Sequence, residues 1–418
     1  MGPAARSPPH SEVSSGKSLI IAPEVSLSTK FGFAERVGKR SRRAYAVHVL
    51  GCKVSRIEAD GIARTLESEG YEPAGPGEPA EVVVLHACTV TARADRDALR
   101  QLRRLRRENP AALLAVTGCL AERDPEGLSR RPEIDVVAGH GSRLALPRLL
   151  EDAAAGLLPG KVADRTSSPA EVLASPFATG GPDRTRAFLK VQDGCGRRCA
   201  FCIVPAVRGK EISRPFADVV REVEAAASDG VTEVTLLGQN VNSYGRDLAL
   251  AARQAGDDVR VRPLFSELLR AVGAVEGIRR VRYTSPHPKD LRPETIAAMA
   301  ETPEVCEHLH LPLQSGSDRV LSAMHRGYTA ERYLERLAAA RAATDVLAVT
   351  TDIIVGFPGE TDDDFERTLE VAAAAAYDSA YTFIYSPRPG TEAAERAEDF
   401  VPADVVAERL ERLRIVVE

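Results

Sequence analysis

From Ala44 onward the chain alternates between apolar runs and amphipathic stretches. Ala44–Leu50 is a β-branched and aromatic run, and Val54–Gly70 follows with Ile57, Ile62 and Leu66 on one helical face. Glu81–Ala87 (EVVVLHA) reads as a buried strand, and Ala92–Arg107 as the next helix. Leu113–Thr117, a short helix, Ile134–Ala138 and Ser142–Leu150 complete this series. Continuous apolar strands separated by helices of this length predict a parallel α/β sheet over residues 43–155. Residues 156–183 are rich in Pro, Gly and Ser without periodicity and read as a linker.

A second βα series occupies residues 184–418. Its strand candidates are Ala187–Val191, Glu233–Leu237, Arg280–Thr284, Glu307–Leu311, Val349–Val355 and Tyr381–Tyr385. Helix-like segments fall between them at Ala217–Ala227, Leu264–Val272, Pro293–Met299, Ala330–Ala343 and Asp362–Ala376. Six βα units suit either an open barrel or an extended doubly wound sheet, and periodicity is compatible with both. Residues 1–42 hold Pro3, Pro8, Pro9 and scattered Ser with no sustained apolar period, so a disordered tail is expected. The apolar piece Leu19–Ala22 is too short for the core of a secretion signal.

Composition narrows the class. The chain has 418 residues, 44% hydrophobic and 28% charged, which supports sizeable cores and excludes wholesale disorder. Lys+Arg of 55 against Asp+Glu of 60 gives −5, so no global positive field points to nucleic acid. No stretch approaches the roughly 18–20 apolar residues of a membrane helix, and a cytoplasmic location is expected. Seven cysteines are too few, and odd in number, for a disulfide framework. Their spacing therefore carries the chemistry.

Cys195, Cys199 and Cys202 lie in DGCGRRCAFCIVPAVRG, spaced C-x3-C-x2-C directly after the first strand of the second series. Three thiolates this close can wrap one soft metal centre. Zinc would recruit a fourth ligand, yet Cys306 lies 104 residues further on. Three ligands on a four-iron cluster leave one iron open for a small molecule. Three buried small hydrophobes are the plainer alternative. The C-x3-C-x2-C pattern with Phe201 before its last cysteine resembles the signature of the radical S-adenosylmethionine superfamily. That resemblance implies a 4Fe–4S cluster whose open iron is chelated by the amino and carboxylate groups of S-adenosylmethionine. Reduction then releases a 5′-deoxyadenosyl radical. It also implies a partial six-stranded βα barrel, in agreement with the six units.

The remaining cysteines fall in a second pattern. Cys52 (HVLGCKVSRIEADG), Cys88 (VVVLHACTVTARAD) and Cys119 (LAVTGCLAERD) each follow a predicted strand of the first series and precede a helix. In a parallel sheet those three loops share one edge, so residues 36 and then 31 apart can converge there. Helix N-termini favour thiolates, the ligating form. Any one of these cysteines alone reads as a buried hydrophobe; the same topological place three times points to a second three-thiolate site.

Two three-cysteine sites in this order resemble the methylthiotransferases, which carry an auxiliary 4Fe–4S cluster in a flavodoxin-like N-terminal domain. The similarity runs from about Arg43 to Glu418 and includes LLGQNVNSYG (Leu236–Gly245), TSPHPKDL (Thr284–Leu291), HLHLPLQSGSDRVL (His308–Leu321), DIIVGFPGETDDDF (Asp352–Phe365) and YSPRPGTEAA (Tyr385–Ala394). Together these look most like the branch that methylthiolates N6-isopentenyladenosine beside the tRNA anticodon. The GCKV and ACTVT wording leans instead toward the branch acting on threonylcarbamoyladenosine, and a third branch modifies a ribosomal protein. The resemblance implies that S-adenosylmethionine is used twice, once to methylate sulfur at the auxiliary cluster and once to take hydrogen from adenine C2. An aromatic C–H is too strong and too weakly acidic for a side-chain base, so cofactor radical chemistry suits the reaction. The implied partners are the tRNA anticodon stem-loop and an electron donor such as flavodoxin or ferredoxin.

Weaker features have plainer readings beside the functional ones. Gly238, Gln239 and Asn240, with Gln314, Ser315 and Gly356, stand at strand ends where this superfamily binds its cofactor, as does Phe201 in the cysteine loop. Ordinary turn chemistry is the alternative. Seven arginines between Arg93 and Arg107 against Asp95 and Asp97 give a local +5, from which Arg100, Arg103, Arg104 and Arg107 are candidate phosphate contacts. A solvated helix face explains them as well. Arg279, Arg280 and Arg282 take the same two readings. Cys306 reads as core, His308 and His310 as satisfied strand histidines, and Asp362–Asp364 as a helix start that needs no metal. The family pattern continues into a small RNA-gripping β-barrel, whereas this sequence stops at Glu418, so that domain is expected to be absent. A metal-stabilised RNA-binding module is the non-enzymatic alternative.

Overall fold

Ala44–Leu50 (β1), Val82–Ala87 (β2), Leu113–Thr117 (β3), Val136–Ala138 (β4) and Val162–Ala163 (β5) lie side by side as parallel strands in that order. This is a computed structural model, and it describes residues 19–20, 43–158, 160–163, 173 and 185–418. β2 is buried at every position, as its unbroken VVVLHA run requires. Helices cover both faces. On one, Lys53–Ser68 (α1) and Leu146–Ala154 (α4) press Ala59, Ile62, Leu66, Leu146 and Leu150 onto Val47, Val82 and Val84. On the other, Ala92–Glu108 (α2) and the short Cys119–Arg123 (α3) press Leu102, Leu105 and Leu120 onto Val83, Leu85 and Val116. Val162–Ala163 falls inside the stretch read as linker and forms the sheet's edge. Leu19 and Ile20 pair antiparallel with Val49 and His48 at the other edge. Most of the expected tail and linker lies outside the described residues.

The second domain settles the choice that periodicity leaves open. Arg186–Lys190 (β6), Glu233–Leu237 (β7) and Arg280–Tyr283 (β8) form one parallel ladder, and His308–His310 (β9), Ala348–Val355 (β10) and Ser379–Ile384 (β11) form another. A parallel bridge from Val281 to Val305 joins them. The strands therefore follow sequence order with no switch point, which makes an open barrel rather than a doubly wound sheet. β10 shows why. Val349, Ile353 and Val355 are buried beneath the outer helices, while Thr350, Asp352 and Ile354 alternate onto the inner face. The closing helix Ala403–Val417 packs behind β11 through Val406 and Leu413.

The two domains interpenetrate. Val54 and Ile57 of α1 pack against Leu237 and Phe188, which point inward from β7 and β6. A helix of the first domain thus fills one half of the second domain's barrel.

Candidate active site

Each cysteine of the first domain sits where a strand gives way to a helix. Cys52 caps α1, Cys88 follows β2 and Cys119 opens α3. Parallel strands in register bring these three loops to one sheet edge. A side chain on Gly51 would lie 3.0 Å from Cys88 Cβ, so the first two loops are in contact. Gly118, at φ +93, would put a Cβ 2.7 Å from the Ala87 carbonyl oxygen, and only glycine lets the third loop approach that closely. The thiols feel one another. Burial, then Cys52, push Cys88 up, and burial takes Cys119 to about 12 with Cys88 and Cys52 adding to it. Cys52 is exposed while the other two are buried.

The second set comes from one loop. Cys195 Sγ accepts the Arg197 amide at 3.4 Å, and the Cys202 amide donates to the Cys199 carbonyl at 3.0 Å. Arg326, buried, donates to Cys199 Sγ at 3.2 Å. Burial raises Cys195 to about 11 and Cys202 to about 12, and neighbouring thiols add to both. Thiols this costly to ionise when alone, and this mutually repulsive, are suited to a cation that holds all three as thiolates. Arg197 then clamps Asp290, which also accepts from Asn240 Nδ2 at 3.0 Å.

The two cysteine sets face each other across the domain boundary. Cys119 packs on Ile203 and Val207, immediately beyond Cys202, where Val204–Arg208 (α5) begins. Beside this contact lies a fully buried ionic network. Glu58 of α1 accepts from Arg143 (2.7 Å), Lys190 (2.9 Å) and both terminal nitrogens of Arg208 (2.9 Å). Asp193 accepts from Lys190 (2.9 Å) and Arg208 (2.8 Å) and pairs with His140 Nε2 (2.6 Å). Burial alone would raise both carboxyls; the cations overcome it and hold them well below the carboxylate range. Glu58, His140 and Asp193 offer ligand atoms within 4.8 Å of one another, but three cationic side chains already occupy the space between them. The cluster is a lock, not a metal site. A second lock closes the far side, where Arg388 donates to Thr89 (3.0 Å) and pairs with Asp95, and Ser386 accepts the Ala92 amide at 3.1 Å.

Residues 189–372 match the family described as Radical SAM superfamily, and residues 44–139 match Uncharacterized protein family UPF0004. The chain is 45% identical over 391 residues to tRNA-2-methylthio-N(6)-dimethylallyladenosine synthase 1 of Mycobacterium marinum, covering 91% of this chain and 72% of that relative. It is 47% identical over 389 residues to the tRNA-2-methylthio-N(6)-dimethylallyladenosine synthase of Salinispora arenicola, covering 90% and 73%. The chain belongs to the radical S-adenosylmethionine methylthiotransferase family. In fold it is similar to the radical S-adenosylmethionine methyltransferase TsrM of Kitasatospora setae, solved with cobalamin and a 4Fe–4S cluster (TM-score 0.58, 16% identity, 84% of this chain and 77% of that one).

Methylthiotransferases of this family use S-adenosylmethionine and two 4Fe–4S clusters, and this chain's residues fit both. Two three-thiol sets stand where cluster ligands would be needed. Beside the second set, Gln192 Oε1, Gln239 Oε1 and Asn240 Oδ1 are buried acceptors with no partner among the described residues, which suits a bound molecule rich in N–H and O–H donors. Gly238 sits among them, where a Cβ would meet Gln192 Oε1 at 2.8 Å. Glu211, donated to by Ser243 at 2.6 Å, is pushed up to about 7 by burial. Phe201 packs on the cluster of Ala200, Phe357 and Tyr385.

Three of the other strand-end residues are spoken for. Gln314, at φ +69, exchanges backbone hydrogen bonds with Asp352 and Ile354. Ser315 Oγ lies 3.3 Å from Thr368 and accepts the Ser317 amide at 3.2 Å. Gly356, at φ +75, leaves room for Val406 of the closing helix, 2.5 Å from a Cβ there. On α2, Arg100 pairs with Asp97 and Arg104 with Glu108, while Arg103 and Arg107 are exposed beside them. Neither ionic lock is visible in the sequence, because Glu58, Asp193 and Arg208 lie in ordinary helix and loop positions and meet only through the docked domains.

Proposed function

We propose that this chain adds a methylthio group to C2 of N6-isopentenyladenosine next to the tRNA anticodon. The observation that carries this reading is the junction of the two thiol sets through Cys119, Ile203 and Val207, within a chain about 45% identical to synthases named for that product. When bound, the clusters and S-adenosylmethionine supply the electron transfer, hydrogen abstraction and sulfur. The protein supplies position. Cys52, Cys88 and Cys119 hold one cluster, and Cys195, Cys199 and Cys202 hold the other. Glu211 and the free amide oxygens of Gln192, Gln239 and Asn240 accept from the amino and hydroxyl groups of S-adenosylmethionine, with Gly238 opening the space and Phe201 forming one wall. Gln314, Ser315 and Gly356 shape that pocket's backbone.

Arg326 and Arg197 place positive charge beside the second thiol set, which stabilises its anionic complex. α1, wedged in the barrel, excludes water from the half that it fills. Arg100, Arg103, Arg104 and Arg107 reach the RNA backbone as a secondary contact, and a flavodoxin or ferredoxin delivers electrons. Among the described residues no helix is long and apolar enough to cross a membrane. Nucleoside mass spectrometry of tRNA from a strain lacking this protein tests the reading. Loss of 2-methylthio-isopentenyladenosine supports it; unchanged levels, or loss of the threonylcarbamoyl counterpart alone, overturn it.

A further inference from the structure

The barrel's inner face has two unlike halves. Along β6 and β7 it is filled: Phe188 and Leu237 meet Val54 and Ile57 of α1, and Lys190 meets Glu58. Along β9, β10 and β11 no helix of the first domain covers it among the described residues. The register places His310 beside Thr350, Asp352 beside Tyr381 and Ile354 beside Phe383, all on this inner face. Tyr381 is 60% exposed and Phe383 42%, and the register sets both on the face that carries Asp352 and Ile354. Large aromatic side chains left open on a concave wall mark a binding surface.

The polar groups among them are ordered. Thr350 Oγ1 lies 3.0 Å from His310 Nδ1 and 3.2 Å from His308 Nε2, and His310 Nε2 lies 3.4 Å from Asp352. His310 also meets the Tyr381 ring edge to face, with centroids 6.3 Å apart. One end of this wall reaches the second thiol set. Ile354 joins Phe201 and Ala200 of the Cys195–Cys202 loop in one apolar cluster. At the other end His308 is held below its ordinary range by burial and by the charges of Arg282, His310 and Lys53.

We infer that this half of the barrel is the nucleobase subsite, with Tyr381 as stacking platform, the His310–Asp352 pair on the base's polar edge, and Phe383 with Ile354 against its N6 substituent. The inference rests on the proposed function and adds its specificity. An aromatic face holds any base by stacking, so Tyr381 supplies affinity without choice. Choice comes from the tail. Phe383 and Ile354 offer apolar surface to a dimethylallyl group, whereas the Asp352 carboxylate repels the carboxylate of a threonylcarbamoyl group.

The test measures binding of three anticodon stem-loop RNAs to the cluster-loaded full chain. They carry unmodified adenosine, N6-dimethylallyladenosine or N6-threonylcarbamoyladenosine at the target position. The native chain is expected to prefer the dimethylallyl loop over the unmodified one by roughly tenfold or more. Phe383→Ala should erase that preference while affinity for the unmodified loop changes less than twofold. Tyr381→Ala should weaken all three loops, and Tyr381→Phe should restore them. Asp352→Asn should raise the affinity of the threonylcarbamoyl loop relative to the other two. Undiminished preference in Phe383→Ala, or unchanged binding in Tyr381→Ala, overturns the subsite. If the native chain prefers the threonylcarbamoyl loop, the functional reading fails; the subsite fails with it only where Tyr381→Ala leaves that binding intact.

Discussion

Cys195, Cys199 and Cys202 come from one eight-residue loop, whereas Cys52, Cys88 and Cys119 come from three loops that only the folded sheet assembles. The first set is held locally, by the Arg197 amide, the Cys199 carbonyl and Arg326. The second depends on strand register, on Gly118, and on a domain contact fixed by Glu58 and Asp193. A local loop tolerates distortion elsewhere in the chain. A site assembled at a sheet edge inherits every weakness of the sheet and of the interface above it.

Substituting one ligand in each set draws the contrast at its largest. Cys199→Ala should abolish S-adenosylmethionine cleavage and remove about four of eight irons per chain. Cys119→Ala should remove a similar share of iron and abolish methylthiolated product while 5′-deoxyadenosine still forms. Iron analysis, Mössbauer spectra and product chromatography read both. Cleavage surviving in the first variant, or disappearing in the second, would mean that the two sites do not divide the work in this way.

Glu58→Gln tests the interface next. It leaves Arg143, Lys190 and Arg208 facing a neutral amide in a site with no solvent access. Breaking a buried pair from one side costs about 3–5 kcal/mol. Chemical denaturation should show that loss, and on titrating denaturant the first-domain cluster should bleach before the second. Simultaneous bleaching would show that the lock does not serve one site more than the other.

The thiols themselves give a pH test. Cys119 and Cys202 are pushed up to about 12 and Cys195 to about 11 in the absence of metal. Between the ordinary thiol range and those values the folded state holds more protons than the unfolded one, so stability falls as pH rises. The metal-free chain should therefore lose stability between about pH 9 and pH 12, and the cluster-loaded chain should not, because its thiolates are already ligated. Urea midpoints at pH 8 and pH 10 for the two forms check this. Iodoacetamide should label the exposed Cys52 well before Cys119 or Cys202. Equal labelling rates would contradict the burial of the latter pair.

Legibility in the sequence follows the same division. The C-x3-C-x2-C loop is a short-range pattern, and both domains' strands stand out because parallel strands buried on two faces are unbroken apolar runs. The first-domain cysteines are legible only through topology, as three strand-to-helix positions. The Glu58–Asp193 lock is not legible at all: its members are 135 residues apart, and a charged residue on an amphipathic helix looks solvated until a second domain covers it. His308 and His310 read as satisfied strand groups, and their hydrogen bonds to Thr350 agree. What the sequence does not reveal is that, among the described residues, α1 covers only the other half of the barrel and not their face.

The arginines of α2 should show the smallest effect, and they complete the contrast between local and assembled features. Arg100 and Arg104 already pair with Asp97 and Glu108 on an exposed face, where such pairs contribute only about 0.2–1 kcal/mol. Arg103, whose Nε donates to the Leu99 carbonyl at 3.2 Å, and Arg107 lie exposed. Replacing both by Ala should move folding stability by no more than about 0.5 kcal/mol. If they reach phosphates, the same change should weaken every stem-loop alike, whatever its modified base, and reduce the salt slope by about one for each phosphate no longer neutralised. An unchanged slope would assign this helix to solvent alone. Uniform weakening with an intact preference for the modified base is the opposite pattern to Phe383→Ala, so the two experiments together separate holding the RNA from choosing its base.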